Sequence, residues 1–167
     1  MADTHERSNR VLAPSYLDAI DDRPVDELRA MHAECLELET EVSYVRRLAQ
    51  ARIDIVDAEL DRRARGGSFE ELIDALPQIL ADSGPRGDPA TSRLPMQLAP
   101  EQDSEWAPQL AEIETILTDL PALSEAAIED ARERLLVLER GVSDQRRALF
   151  AVIDRIDLLL AERRRSG

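Results

Sequence analysis

Apolar residues recur along two stretches of this chain in alternating steps of four and three, and that rhythm restricts the fold more than any other feature. The first stretch runs Met31, Cys35, Leu38, Val42, Val45, Ala49 and Val56, interrupted only at Arg52. The second runs Ala131, Leu135, Leu138, Val142, Leu149, Val152, Ile156 and Leu159, interrupted only at Gln145. Such a seam keeps one edge of an α-helix against a partner helix over many turns. Two seams separated by enough chain to return predict an all-α fold, a long antiparallel two-helix coiled-coil hairpin. Composition agrees, because aromatic residues make up only 3% of the chain and there are only 6 glycines. A core of Leu, Ile, Val and Ala suits helices meeting along narrow seams better than a β-sandwich. The interruptions Arg52 and Gln145 either snorkel to the seam edge or meet each other and set register.

Local signals divide the chain further. Residues 1–22 are polar, contain Pro14 and hold no sustained period, and read as a disordered or loosely attached arm. A long helix is expected over 23–66, with Asp22 or a neighbour as cap, Pro24 near its start, Asp26 and Glu27 in its first turn, and Gly66-Gly67 as its stop. Ser68 and Glu71 form a capping box for a short amphipathic helix over 68–81. Residues 82–104, rich in Pro, Gly, Ser and Asp, read as a flexible linker. A second short helix is expected over 105–119, and a second long one over 123–165, ending in Arg163, Arg164 and Arg165. These pieces are read as one domain, with the two short helices accessory to the hairpin.

The formal net charge of −14 opposes a broad electrostatic grip on nucleic acid and favours a basic protein partner. All 21 basic residues are Arg, the side chain that forks onto guanine edges and phosphates. A single cysteine, Cys35, forms no internal disulfide, and no apolar run approaches the roughly 20 residues of a membrane span. A cytoplasmic protein without membrane contact is the expectation. His5 lies in the N-terminal arm and His32 is an isolated histidine, and no nucleophile–base pair, phosphate loop or zinc motif is present. Neither metal nor enzymatic activity is expected.

An internal repeat carries the functional signal. Residues 39–63 and 139–163 share eleven identities in 25, among them Glu39, Ser43, Arg46, Arg47 and Asp54 with the same residues one hundred positions on. Shared apolar positions follow from the heptads, but solvent-edge positions have little reason to agree. Glu39, Ser43, Arg46, Gln50 and Asp54 are spaced 4, 3, 4 and 4, which confines them to an arc of roughly 80° along some 22 Å of helix. Glu139, Ser143, Arg146 and Asp154 do the same. Four members of the first stripe each follow a seam residue, so both stripes border the helix interface. These groups suit guanine, whose O6 and N7 accept an Arg fork and whose N1–H and N2 amine donate to a carboxylate. Ser43 and Gln50 can serve phosphate, ribose or base edges. A repeated stripe suits a ligand with its own two-fold, such as cyclic di-GMP, although spacing alone does not single that ligand out.

The pattern Glu39-x3-Ser43-x2-Arg46-x3-Gln50-x3-Asp54 resembles, letter for letter, the signature of the RsiG family, actinobacterial anti-sigma factors armed by cyclic di-GMP that sequester the sigma factor WhiG. The surrounding residues EVSYVRRLAQARIDIVDAEL are also similar to that family. The resemblance spans both long helices, roughly 25–65 and 123–165. It implies an antiparallel hairpin holding a cyclic di-GMP dimer between the stripes, with sigma-factor domains bound around the helices and no direct contact with DNA. The implied ligand set is Glu39, Ser43, Arg46, Gln50, Asp54, Glu139, Ser143, Arg146 and Asp154. The second copy departs at Phe150, where the motif has Gln; Phe150 either stacks on a purine or packs against the partner.

Taken singly, Glu39, Arg46 and Asp54 read equally well as a solvated helix face with weak ion pairs. The duplicated set favours the ligand. Off-seam Ile53, Ile55, Ile153, Leu158 and Leu160 suggest a second apolar face for a partner. The competing class is a coiled-coil scaffold or dimerisation protein without a nucleotide, which needs the seam but not the matched polar stripe.

Overall fold

The computed structural model describes residues 6–82, 106–118 and 120–166, and every regular element among them is helical. Five α-helices follow in order: α1 (Glu6–Leu12), α2 (Val25–Arg65), α3 (Phe69–Asp82), α4 (Ala107–Thr118) and α5 (Glu125–Ser166). Short 3₁₀ turns occupy Pro14–Leu17, Ile20–Asp22 and Leu120–Ala122. The stretch read as a flexible linker, 82–104, lies outside the described residues from 83 onward.

The two long helices pack against each other along the heptad seams. Met31, Cys35, Leu38, Val42, Val45, Ala49 and Val56 are buried, as are Ala131, Leu135, Val142, Leu149, Val152, Ile156 and Leu159. Helix boundaries follow local chemistry. Pro24, whose fixed φ suits a helix start, occupies the N-cap of α2, while Asp22 lies in the preceding 3₁₀ turn. Gly66 closes α2 at φ 70°, with Gly66 N–H on the Arg63 carbonyl and Gly67 N–H on the Arg62 carbonyl, both 3.0 Å, which is a Schellman closure. Ser124 Oγ accepts from Ala127 N–H at 3.2 Å and caps α5, as Ser68 Oγ accepts from Glu71 N–H at 3.4 Å near the start of α3.

Two expectations need correction, and one open alternative closes. From Glu6 onward the N-terminal arm is ordered: Val11 and Ile20 are fully or nearly buried, and Arg7 bonds Glu41 at 2.9 Å and Glu37 at 3.1 Å on α2. Arg155 of α5 bonds Asp21 at 2.8 Å. The arm thus lies along the open end of the hairpin, using apolar residues too sparse to show a period. Secondly, Ile53, Ile55 and Ile153 are buried in the chain's own core, in which Trp106 and Ile113 of the shorter segments also lose their exposure. Of the suggested second apolar face, Leu158 remains exposed and Leu160 partly so. Of the two readings open for Arg52 and Gln145, their meeting is excluded, because the register of α2 against α5 holds them apart.

Candidate functional site

Four cross-helix contacts obey one antiparallel register. His32 Nε2 lies 3.1 Å from Asp157, Arg146 Nε donates to Ser43 Oγ at 2.8 Å, Gln50 Nε2 donates to Glu139 Oε1 at 3.1 Å, and Arg132 pairs with Asp57. Each advance along α2 is matched by an equal retreat along α5. Arg52 therefore stands about 12 Å along the hairpin axis from Gln145. Each leaves a buried polar atom, Arg52 Nε and Gln145 Oε1, with no hydrogen-bond partner among the described residues.

With the two copies 100 positions apart, the same register puts a local two-fold axis between the Tyr44 and Val45 levels of α2 and the Asp144 and Gln145 levels of α5. That axis exchanges the stripes. Arg146 lies level with Ser43, Arg46 with Ser143, Gln50 with Glu139, and Glu39 with Phe150. The pairing follows from where the stripe residues sit: each of Glu39, Ser43, Arg46 and Gln50 is one position past a seam residue, on the edge where α5 passes.

Within this cluster the polar groups are closely bonded. Ser43 Oγ donates to Glu39 Oε1 at 2.5 Å, and Ser143 Oγ donates to Glu139 Oε1 at 2.7 Å, each across one helical turn. Arg146 Nε reaches across to Glu39 Oε1 at 3.0 Å as well as to Ser43. Its guanidinium lies over the Phe150 ring, 4.6 Å from the centroid. Phe150 is 38% exposed, so it is not a core residue. Ser43 itself is buried. Arg46 differs from Arg146: its Nε is buried and finds no hydrogen-bond acceptor among the described residues.

An open cavity of about 530 Å³ lies beside the cluster, lined by Arg46, Glu139, Arg140, Ser143, Asp144, Arg146 and Arg147. Four guanidiniums there face two carboxylates, in a chain whose net charge is −14. Neighbouring Arg47 has its guanidinium pulled below the usual value, first by burial and then by Arg46, with Arg146 adding to the effect and Glu39 opposing it. Like charges held this close favour an anionic occupant. The volume also falls within the range of small-molecule sites.

Seven of the nine expected ligand residues thus gather around the axis: Glu39, Ser43, Arg46, Gln50, Glu139, Ser143 and Arg146. Asp54 and Asp154 belong to the outer ends of the stripes, roughly 14 Å along the axis from the centre. Asp54 is half-buried and Asp154 exposed. Arg140 and Arg147 were not among the expected residues. Arg147 carried a signal, as one of the repeat identities with Arg47, whereas Arg140 and Asp144 had no counterpart in the first copy.

No metal-holding group of three or more His, Cys, Asp or Glu occurs among the described residues, and none of the described helices is long and apolar enough to cross a membrane. No curated protein matches the chain. Residues 14–80, a stretch that holds the whole first stripe, match the family model described as RsiG-like, and over that stretch the chain is similar to this family.

Proposed function

We propose that the chain is an anti-sigma factor that binds cyclic di-GMP between α2 and α5 and sequesters a WhiG-like sigma factor of the flagellar or sporulation type. The RsiG-like match supports the anti-sigma role at the level of the family. The observation that carries the ligand reading is the local two-fold, which sets Arg46 beside Ser143 and Arg146 beside Ser43 at the mouth of an arginine-lined cavity. A cyclic dinucleotide with two guanines and two phosphates has the same symmetry. Each Arg fork would meet a guanine edge, Glu39 and Glu139 would accept from the base amine and N1–H, and Arg140 and Arg147 would balance phosphate charge.

Nucleotide bound across both helices would stabilise one relative placement of α2 and α5, and thereby any partner surface spanning them. It promotes the sigma complex only by the difference in its affinity for the free and the complexed chain. The acidic body suits basic promoter-binding surfaces of a sigma factor, and covering those surfaces blocks transcription.

One observation favours a scaffold instead. The stripe residues already bond across the hairpin, Arg146 to Glu39 and Gln50 to Glu139, and so hold the two helices together without a ligand. Titration calorimetry of the full chain with cyclic di-GMP separates the readings, with cyclic di-AMP as control. Micromolar or tighter binding of the guanine form alone, abolished in the double variant Arg46→Ala, Arg146→Ala, is the expected result, followed by nucleotide-dependent capture of the sigma factor. Equal binding of the adenine form, or no binding with an unchanged fold, would overturn the nucleotide reading and leave the scaffold.

A further inference from the structure

The two halves of the cluster are chemically unequal, and we infer that this orders ligand binding: the half built on Arg46, Glu139 and Ser143 takes nucleotide first, the half built on Arg146, Glu39 and Ser43 second. The inference rests on the nucleotide reading above. It assigns Phe150 a role as the residue that separates the two steps.

The cause lies at positions 50 and 150, where the repeats differ. On one side the Gln50 amide donates to Glu139 at 3.1 Å, and Ser143 donates to the same carboxylate at 2.7 Å. Glu139 is thus served without any arginine, and Arg46, level with Ser143, keeps a buried Nε that has no acceptor among the described residues. On the other side Phe150 has no donor to offer Glu39. That carboxylate draws Arg146 instead, at 3.0 Å, while Ser43 takes a second contact from the same Nε at 2.8 Å and the Phe150 ring supports the guanidinium at 4.6 Å. Phe150 both withholds an amide from Glu39 and provides a stacking surface for Arg146.

An acceptor on the ligand meets different conditions in the two halves. At Arg46 it satisfies a donor that otherwise has none, and burial without a partner is costly enough that gaining one is favourable. At Arg146 it competes with a charged carboxylate already in place. The cavity points the same way, because it opens along the 139–147 stretch of α5 with Arg46 facing it from α2, and Arg140 and Arg147 add positive charge on that side.

Calorimetry of the full chain with cyclic di-GMP tests this order, comparing Arg46→Ala with Arg146→Ala in the natural chain and in Phe150→Gln. In the natural chain, Arg46→Ala is expected to weaken the first binding step by about tenfold or more, whereas Arg146→Ala leaves that step within about twofold and removes the second. In Phe150→Gln the new amide releases Arg146 from Glu39, so the two substitutions cost the same within about twofold. Arg46→Lys and Arg146→Lys repeat the comparison with the charge kept and the fork removed, should an alanine variant fold poorly. Equal losses in the natural chain, in one phase or two, or a larger loss for Arg146→Ala, overturn the order and leave the nucleotide reading standing. No binding by the natural chain overturns both.

Discussion

Glu59 offers a test of what holds the closed end of the hairpin. It stands at the seam position after Val56 and has no solvent-accessible surface. Its Oε2 accepts from Arg62 Nε at 2.7 Å, and its Oε1 accepts from Arg62 Nη2 at 2.8 Å and Arg63 Nε at 2.6 Å. Other donors of both arginines reach the backbone: Arg62 Nη1 on the Gly67 carbonyl at 2.5 Å, Arg63 Nη1 on Leu123 at 2.7 Å and Arg63 Nη2 on Leu120 at 3.2 Å. The buried carboxylate thereby orients the guanidinium that ties the end of α2 to the start of α5. Glu59→Gln keeps the shape but removes the charge and turns one acceptor into a donor facing an arginine. A charge-assisted bond to a buried group is worth roughly 1.5–3 kcal/mol, and both arginines keep some exposure and recover water, so a net loss of about 2 kcal/mol is expected. For a chain of this length that lowers Tm by about 4–8 °C, read by far-UV circular dichroism. Acid provides a second readout. The Arg62 hydrogen bonds hold the Glu59 carboxyl below its ordinary value, against the opposing effect of burial, with Arg63 adding to the effect. A folded-state value below the unfolded one gives stability that is full above the ordinary glutamate range and is lost as pH falls through the depressed value. The natural chain's advantage over Glu59→Gln should therefore shrink in acid. A Tm change under about 1 °C at neutral pH, or a difference that stays constant into acid, would refute the reasoning.

Two further outcomes follow from local geometry. Gly66→Ala meets no atom within 4 Å of the new Cβ but must hold φ near +70°, so a loss of about 1 kcal/mol is expected from backbone conformation alone, measured by denaturant unfolding. Cys35 is fully buried, and burial pushes its thiol up; it donates to Tyr16 Oη at 3.9 Å. Its reaction with a thiol reagent at neutral pH should be slow and should accelerate as denaturant opens the open end of the hairpin, whereas native-state labelling as fast as that of an unfolded peptide would contradict the packing.

The long helices were legible because a heptad seam is a property of each helix alone: residues such as Leu38, Val42 and Val45 repeat on one edge whatever they pack against. Helix ends were legible for the same reason, since Gly66 and Ser124 at the long helices and Ser68 at α3 act on neighbouring backbone groups. The docking of the first 22 residues was not legible from Glu6 onward. Val11 and Ile20 become core residues only because α2 and α5 present surfaces to them, and no period in so short a segment announces that. Glu59 illustrates the opposite failure, a charged residue that takes the next seam position after the apolar rhythm ends at Val56.

The candidate site divides along the same line. Which residues form the stripes follows from the repeat, because a helix converts the spacings 4, 3, 4 and 4 into one face without reference to any other element. How the stripes face each other depends on register, a relation between α2 and α5 that is set by the packing of whole seams. That register brings Ser43 to Arg146 and Gln50 to Glu139, keeps Arg52 away from Gln145, and places Phe150 opposite Glu39. From the chain alone Phe150 is only a mismatch in a motif. In the folded hairpin it leaves Glu39 to Arg146, while Gln50 serves Glu139 and Arg46 Nε finds no acceptor among the described residues, because side chains distant in sequence compete for the same few donors only once the helices are side by side.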